Sequence, residues 1–204
     1  MSKPLTSTDV LFQQRLLACA GLYAGKLDGL WGPGTEAASK ASDALFATIR
    51  TELGEFDGRS ERCLRTLLPN VQRLARQFLT AKLAAGLSLR IISGTRTYAE
   101  QDALYRQGRN GNPGPVVTRS RAGQSNHNFG LAWDIGIFDN GRYLGDSPLY
   151  AQAADPLLPG LEWGGKWVSF PDQPHYQAVT GLTIKEVRSQ FEAGTLRVGE
   201  DSQG

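Results

Sequence analysis

The chain has 204 residues, 40% of them hydrophobic and 21% charged, with a net charge of +2 and a pI near 8.6. That is an ordinary globular composition, long enough for one large domain or for a medium domain with a small companion. It excludes a strongly basic nucleic-acid binder and, with no apolar run of about 18 residues, a membrane-inserted chain; a mildly basic surface suits a substrate that carries carboxylates.

Residues 9–20 predict a helix, with Leu11, Leu16, Leu17 and Ala20 close to one face and Gly21 as its stop. A glycine-rich turn, GLYAGKLDGLWGPGT, leads to Thr35, which reads as the N-cap of a second helix, TEAASKASDALFATIR. Two short helices make a unit too small for a large core, so Leu27, Leu30 and Trp31 are expected to supply much of its packing. This front unit is placed at residues 1–50. The polar, turn-rich stretch TELGEFDGRS supplies a linker at 51–59, and the remainder, 60–204, forms the second domain.

Leu64, Leu67 and Leu68 open the next helical pattern. Pro69 interrupts it and fits the first turn of a new helix, which Val71, Leu74, Ala75, Phe78, Leu79 and Leu83 continue up to Gly86. LSLRIIS predicts a strand. TYAEQDALYRQG predicts a helix opened by a Thr97–Glu100 capping box and closed at Gly108. A long loop rich in glycine, proline and arginine follows. After Gly181 the pattern predicts one short helix and then a loose end. Cys19 and Cys63 form no CxxC pair and read as reduced packing residues. The N-terminal MSKPLTSTDV has no apolar signal core, so synthesis in the cytoplasm is expected.

The strand LAWDIGIF poses the chemical question. Leu131, Trp133, Ile135 and Ile137 share an apolar face, while Asp134 sits on the other between Ala132 and Gly136. A carboxylate within a core strand is costly unless it is paired, hydrogen-bonded or bound to a metal. His127 lies seven residues upstream, behind Gly130, whose freedom lets the loop turn back; the only other histidine is His175, in DQPHYQ. Two histidines and an aspartate make three protein ligands, and a catalytic zinc keeps three and leaves a fourth position for water. An aspartate paired with an arginine, beside unrelated histidines, fits the same residues. A two-histidine-one-carboxylate iron site is disfavoured, because that class usually spaces its first two ligands as HxD.

SNHNFGLAWD resembles the SxHxxGxAxD signature of the zinc D-alanyl-D-alanine carboxypeptidases and of the related phage L-alanyl-D-glutamate endopeptidases. SGTRTYAEQDALYRQGR, LEWGGKW and DQPHYQ follow the endolysin branch in order, over about residues 60–177. The resemblance implies an α+β fold in which a small antiparallel sheet carries zinc on His127, Asp134 and His175. It also implies a catalytic carboxylate three residues before the last histidine, here Asp172, and Arg96 stabilising the carbonyl oxyanion or holding a substrate carboxylate. Ser125 is matched to a substrate-contacting serine. Glu162, in LEWGGKW, competes as the base but reads as structural or substrate-lining, in a turn. Trp163, Trp167 and Tyr176 are candidates for lining the substrate groove, with at least two of them read as packing residues.

GKLDGLWGPGTEAA resembles the DGxWGPxTxxA signature of the small all-α peptidoglycan-binding domain, over about residues 8–48. Together the two resemblances imply a monomeric, endolysin-like peptidoglycan hydrolase cleaving the L-Ala–D-Glu bond. Such a protein acts on the wall in the periplasm and is released by a holin-type partner. A D-alanyl-D-alanine carboxypeptidase and a non-catalytic wall-binding protein are the alternatives.

Overall fold

The computed structural model describes residues 5–199; the start of the N-terminal stretch and the end of the tail lie outside the described residues. The chain is α+β, with seven α-helices and one antiparallel sheet among the described residues. The helices are α1 (Ser7–Cys19), α2 (Pro33–Leu53), α3 (Gly58–Leu64), α4 (Pro69–Ala84), α5 (Tyr98–Arg106), α6 (Leu149–Ala153) and α7 (Ile184–Ala193). The strands are β1 (Leu89–Ser93), β2 (Ala132–Asp139), β3 (Arg142–Leu144), β4 (Leu161–Trp163) and β5 (His175–Ala178). No described helix is long and apolar enough to cross a membrane.

Two compact units emerge. Among the described residues, the first comprises 5–45, 96–129 and 182–199; the second comprises 46–95 and 130–181. The stretch read as a linker contains the last turn of α2, Gly54 and the N-cap of α3.

In the first unit, three helices open on capping boxes: Thr6 with Asp9, Thr97 with Glu100, and Thr183 with Glu186. Each satisfies two backbone donors that a helix start leaves over. Phe12 of α1 packs its ring 5.6 Å from Phe191 of α7 and 6.0 Å from Tyr98 of α5, and Phe191 lies 5.2 Å from Phe129.

The glycine-rich turn is organised differently from the sequence expectation. Leu30 is 68% exposed and Trp31 42%. The turn is held instead by Gln14, fully buried on α1. Its Oε1 accepts from the backbone of Asp28 and Gly29, and its Nε2 donates to Asp28, Leu30 and Thr35. Thr35 therefore does not cap α2. The helix starts at Pro33, whose fixed φ and missing N–H suit a first turn, and the Thr35 hydroxyl serves Gln14. The tail also differs from a loose end as far as it is described: Leu196 is buried and Arg197 donates to the carbonyl of Cys19.

In the second unit the sheet order is β1-β2-β5-β4, with β3 paired to β2. One face of the sheet is apolar: Trp133 is opposite Tyr176, which is opposite Trp163. The Trp133 and Tyr176 rings stack at 6.1 Å, and Phe78 of α4 sits 4.5 Å from Tyr176 and 6.2 Å from Trp133. Rings of this size bury about 150–250 Å² each, so at ~25 cal/mol per Å² each gives roughly 5 kcal/mol of gross burial energy. Pro69 opens α4 as expected, whereas Leu83, expected in the core, is 40% exposed. Arg76, fully buried on α4, forks onto Glu61 at 2.7 and 2.9 Å and donates to the carbonyl of Gly54. Both cysteines are free, and burial pushes the Cys19 thiol up to about 11.

Candidate metal centre

The other face of the sheet is polar. Asp134 on β2 is the register partner of His175 on β5, and Glu162 on β4 is the partner of Gln177 on β5. Side chains two residues apart on a strand share a face, so β5 presents His175 and Gln177 together between the carboxylates of its two neighbours. His175 is 5% exposed, and its Nδ1 lies 3.3 Å from Asp134 Oδ1. Its Nε2 lies 3.0 Å from Gln177 Oε1; Gln177 Nε2 donates to Glu162 Oε2 at 2.9 Å, and Trp167 Nε1 donates to Glu162 Oε1 at 2.6 Å. Burial disfavours a charged His175. The hydrogen bond and charge of Asp134, then Gln177 and Asp172, outweigh burial and hold its pKa above the usual histidine value.

His127 is 1% exposed, within a 3-10 turn at Asn126–Phe129. Its carbonyl accepts the backbone N–H of Arg96 at 2.9 Å. The buried Asn128 beside it ties the same pieces together: its carboxamide accepts from Gly123 N and donates to the carbonyls of Arg96 and Thr97. Ser125 closes this turn, its carbonyl accepting from Asn128 N. Gly130, at φ +71°, supplies the reversal that leads from the turn into β2.

His127, Asp134 and His175 each offer one ligand atom, and the three atoms lie within 4.8 Å of one another. This donor set fits zinc. Two imidazoles and one carboxylate are its common catalytic ligands, and metal–ligand distances of about 2.0–2.1 Å put tetrahedral neighbours roughly 3.3 Å apart. The Asp134–His175 separation already has that value.

Asp172 approaches β5 through Gly164. The Gly164 carbonyl accepts Asp172 N at 2.9 Å, and a Cβ on Gly164 would stand 2.7 Å from the Asp172 carbonyl, so only glycine fits there. The Asp172 carbonyl in turn accepts His175 N at 3.2 Å. Glu162 lies in β4 rather than in a turn, and both its oxygens are engaged, by Trp167 and Gln177. Trp163 is 9% exposed and donates its indole N–H to the Gln173 carbonyl, a setting that suits packing better than contact with a substrate. Gln177 is the neighbour of the ligand cluster that sequence reasoning did not assign, and the HxQ spacing on β5 was the available signal; Trp167, read from sequence as a groove-lining candidate, instead donates to Glu162.

Residues 118–178 match the family model described as D-alanyl-D-alanine carboxypeptidase. The chain is 35% identical over 151 residues to the peptidoglycan L-alanyl-D-glutamate endopeptidase CwlK of Bacillus subtilis (strain 168), which covers 67% of this chain and 89% of that protein. The crystal structure of the Serratia marcescens L-Ala D-Glu endopeptidase ChiX aligns at 27% identity with a TM-score of 0.48, covering 61% of this chain and 89% of that one.

Proposed function

The chain belongs to the D-alanyl-D-alanine carboxypeptidase family of metallopeptidases, and from that premise we propose that it hydrolyses the L-Ala–D-Glu bond of peptidoglycan stem peptides, with zinc held by His127, Asp134 and His175. The observation that carries the choice of bond is the likeness to the Bacillus endopeptidase, which extends over nearly all of that protein.

Zinc in such a site supplies Lewis acidity, polarising a carbonyl and acidifying water at neutral pH. Asp172, whose charge already acts on His175, takes the proton of the attacking water and returns it to the leaving amine. Arg96, anchored through its backbone to the His127 turn, holds the negative charge that develops on the scissile carbonyl or a carboxylate of the substrate. Ser125, at the start of the same turn, contacts the substrate. Residues 1–50 act as a wall-binding segment that raises the local enzyme concentration on an insoluble polymer. We further propose that the enzyme works as a monomer on the periplasmic wall and that a holin-type partner releases it.

Digestion of purified peptidoglycan, with mass spectrometry of the fragments, tests the reading. New L-Ala carboxyl and D-Glu amino termini are expected. The family model's own description favours a second reading, removal of terminal D-Ala, and release of free D-Ala as the sole product would establish it instead.

A further inference from the structure

We propose that Gln177 and Glu162 are positioning residues that hold the proton of His175 on Nε2 and so dedicate its Nδ1 to the metal. The inference rests on the zinc reading above and follows from which groups are able to donate. An indole N–H only donates and a carboxylate only accepts, so Trp167 fixes Glu162 through Oε1 and leaves Oε2 for the second contact. Facing Oε2, the Gln177 amide must present its nitrogen, which lies 2.9 Å away. The amide oxygen is thereby turned toward His175 Nε2, at 3.0 Å. That oxygen also only accepts, so Nε2 must carry a hydrogen. In a neutral ring Nδ1 then presents a lone pair toward Asp134 Oδ1, 3.3 Å away. Two acceptors at that distance repel unless a cation lies between them, a place that a metal ion would fill.

The sheet makes this arrangement rigid. Glu162 and Gln177 are register partners on β4 and β5, and Asp134 and His175 are partners on β2 and β5. Ligand orientation is thus set by strand pairing and by a relay of three hydrogen bonds. Partners of this kind typically contribute 10–100-fold to metal affinity.

The test has two arms. In the first, long-range 15N–1H spectra of the zinc-loaded wild-type protein report the ring state of its two histidines. Expected is His175 with hydrogen on Nε2 and zinc on Nδ1. Zinc bound through Nε2 of His175 overturns the proposal while leaving the zinc reading intact, whereas a wild-type protein that takes up no zinc overturns both. In the second arm, chelator competition measures zinc affinity alongside the melting temperature of the metal-free protein. Gln177→Leu is expected to weaken zinc 10–100-fold with little change in metal-free melting. Exchanging the two groups, Glu162→Gln with Gln177→Glu, restores the same donor–acceptor order: the new carboxylate accepts from His175, and the new amide donates to it while accepting from Trp167. Most of the lost affinity should return. A merely structural role predicts lower melting temperatures and no such recovery, and wild-type zinc affinity in Gln177→Leu sinks the proposal.

Discussion

Asp134 and His175 face each other across the β2–β5 ladder with Oδ1 and Nδ1 3.3 Å apart. A carboxylate and an imidazole are thus brought together by backbone pairing, before any metal arrives. Strand pairing also sets Trp133 against Tyr176 one residue away on the opposite face, so slipping one strand by a residue would turn its ligand side chain toward the apolar face and its ring toward the polar one.

The first prediction concerns the metal. The wild-type protein should hold one zinc per chain, and His127→Ala, Asp134→Asn and His175→Ala should each lose it, by metal analysis of chelator-free protein. Because zinc binds the folded site, chelation should lower the melting temperature reversibly; free metal at ~1,000 times its Kd stabilises by about 4 kcal/mol. A His127→Ala protein with full zinc and full activity would refute the ligand assignment.

The second prediction separates the two carboxylates. Asp172→Ala should keep zinc content and melting temperature while single-turnover hydrolysis falls about 10²–10⁴-fold, the usual loss for a general base. Glu162→Ala should weaken zinc binding, because Gln177 loses the group that orients it. An inert Glu162→Ala protein that still holds zinc at wild-type affinity, beside a fully active Asp172→Ala, would reverse the two roles.

The clustering of His127, Asp134 and His175 was legible in the sequence because two of its members share one short motif and the chain has only two histidines. Helix positions were legible where a start signal and a glycine stop flank the pattern, as with Pro69 and Gly86 around α4 and the Thr97–Glu100 box and Gly108 around α5. The strands β3, β4 and β5 have three or four residues each, too few to display an alternation, and exist because β2 and its neighbours offer partners. Glu162 was misplaced in a turn for that reason: its β4 setting is a product of pairing with Gln177. Gln14 went unnoticed because a buried glutamine on a helix has no local signature; its partners Asp28, Gly29, Leu30 and Thr35 belong to a turn and helix start that form only in the folded chain.

The third prediction addresses stability. Arg76 and Glu61 form a forked pair with Arg76 fully buried. Arg76→Met should cost about 3–5 kcal/mol in urea unfolding, since it leaves the Glu61 carboxylate uncompensated. Arg76→Met combined with Glu61→Leu should recover a large part of that loss, because the penalty lies in the stranded charge rather than in the missing attraction. A double variant as unstable as the single one would show instead that the pair itself, or its bond to the Gly54 carbonyl, carries the stability.

The last prediction is a pH dependence at Asp57, the N-cap of α3. Its Oδ1 accepts from Arg59 N and Ser60 N, and its Oδ2 accepts from the Ser60 hydroxyl at 2.5 Å. Ser60 Oγ also accepts from Ile91 N, so this cap ties α3 to β1. Burial alone would raise the Asp57 pKa, but the Ser60 hydroxyl, the two backbone donors and the charge of Arg90 outweigh it and lower the value. A carboxyl whose folded pKa is depressed binds its proton more readily when unfolded. Its stabilisation is therefore complete above the ordinary aspartate value and is lost as pH falls through the lower folded value. Asp57→Ala should cost about 0.5–2 kcal/mol at neutral pH, the usual range for an N-cap. Asp57→Asn keeps an acceptor for the helix start but has no titrating carboxyl. It should sit close to wild type at neutral pH and lose less stability than wild type between neutral pH and the acid limb. Urea midpoints for the three proteins across that interval decide the matter; equal acid slopes for wild type and Asp57→Asn would mean that Asp57 has no part in acid unfolding.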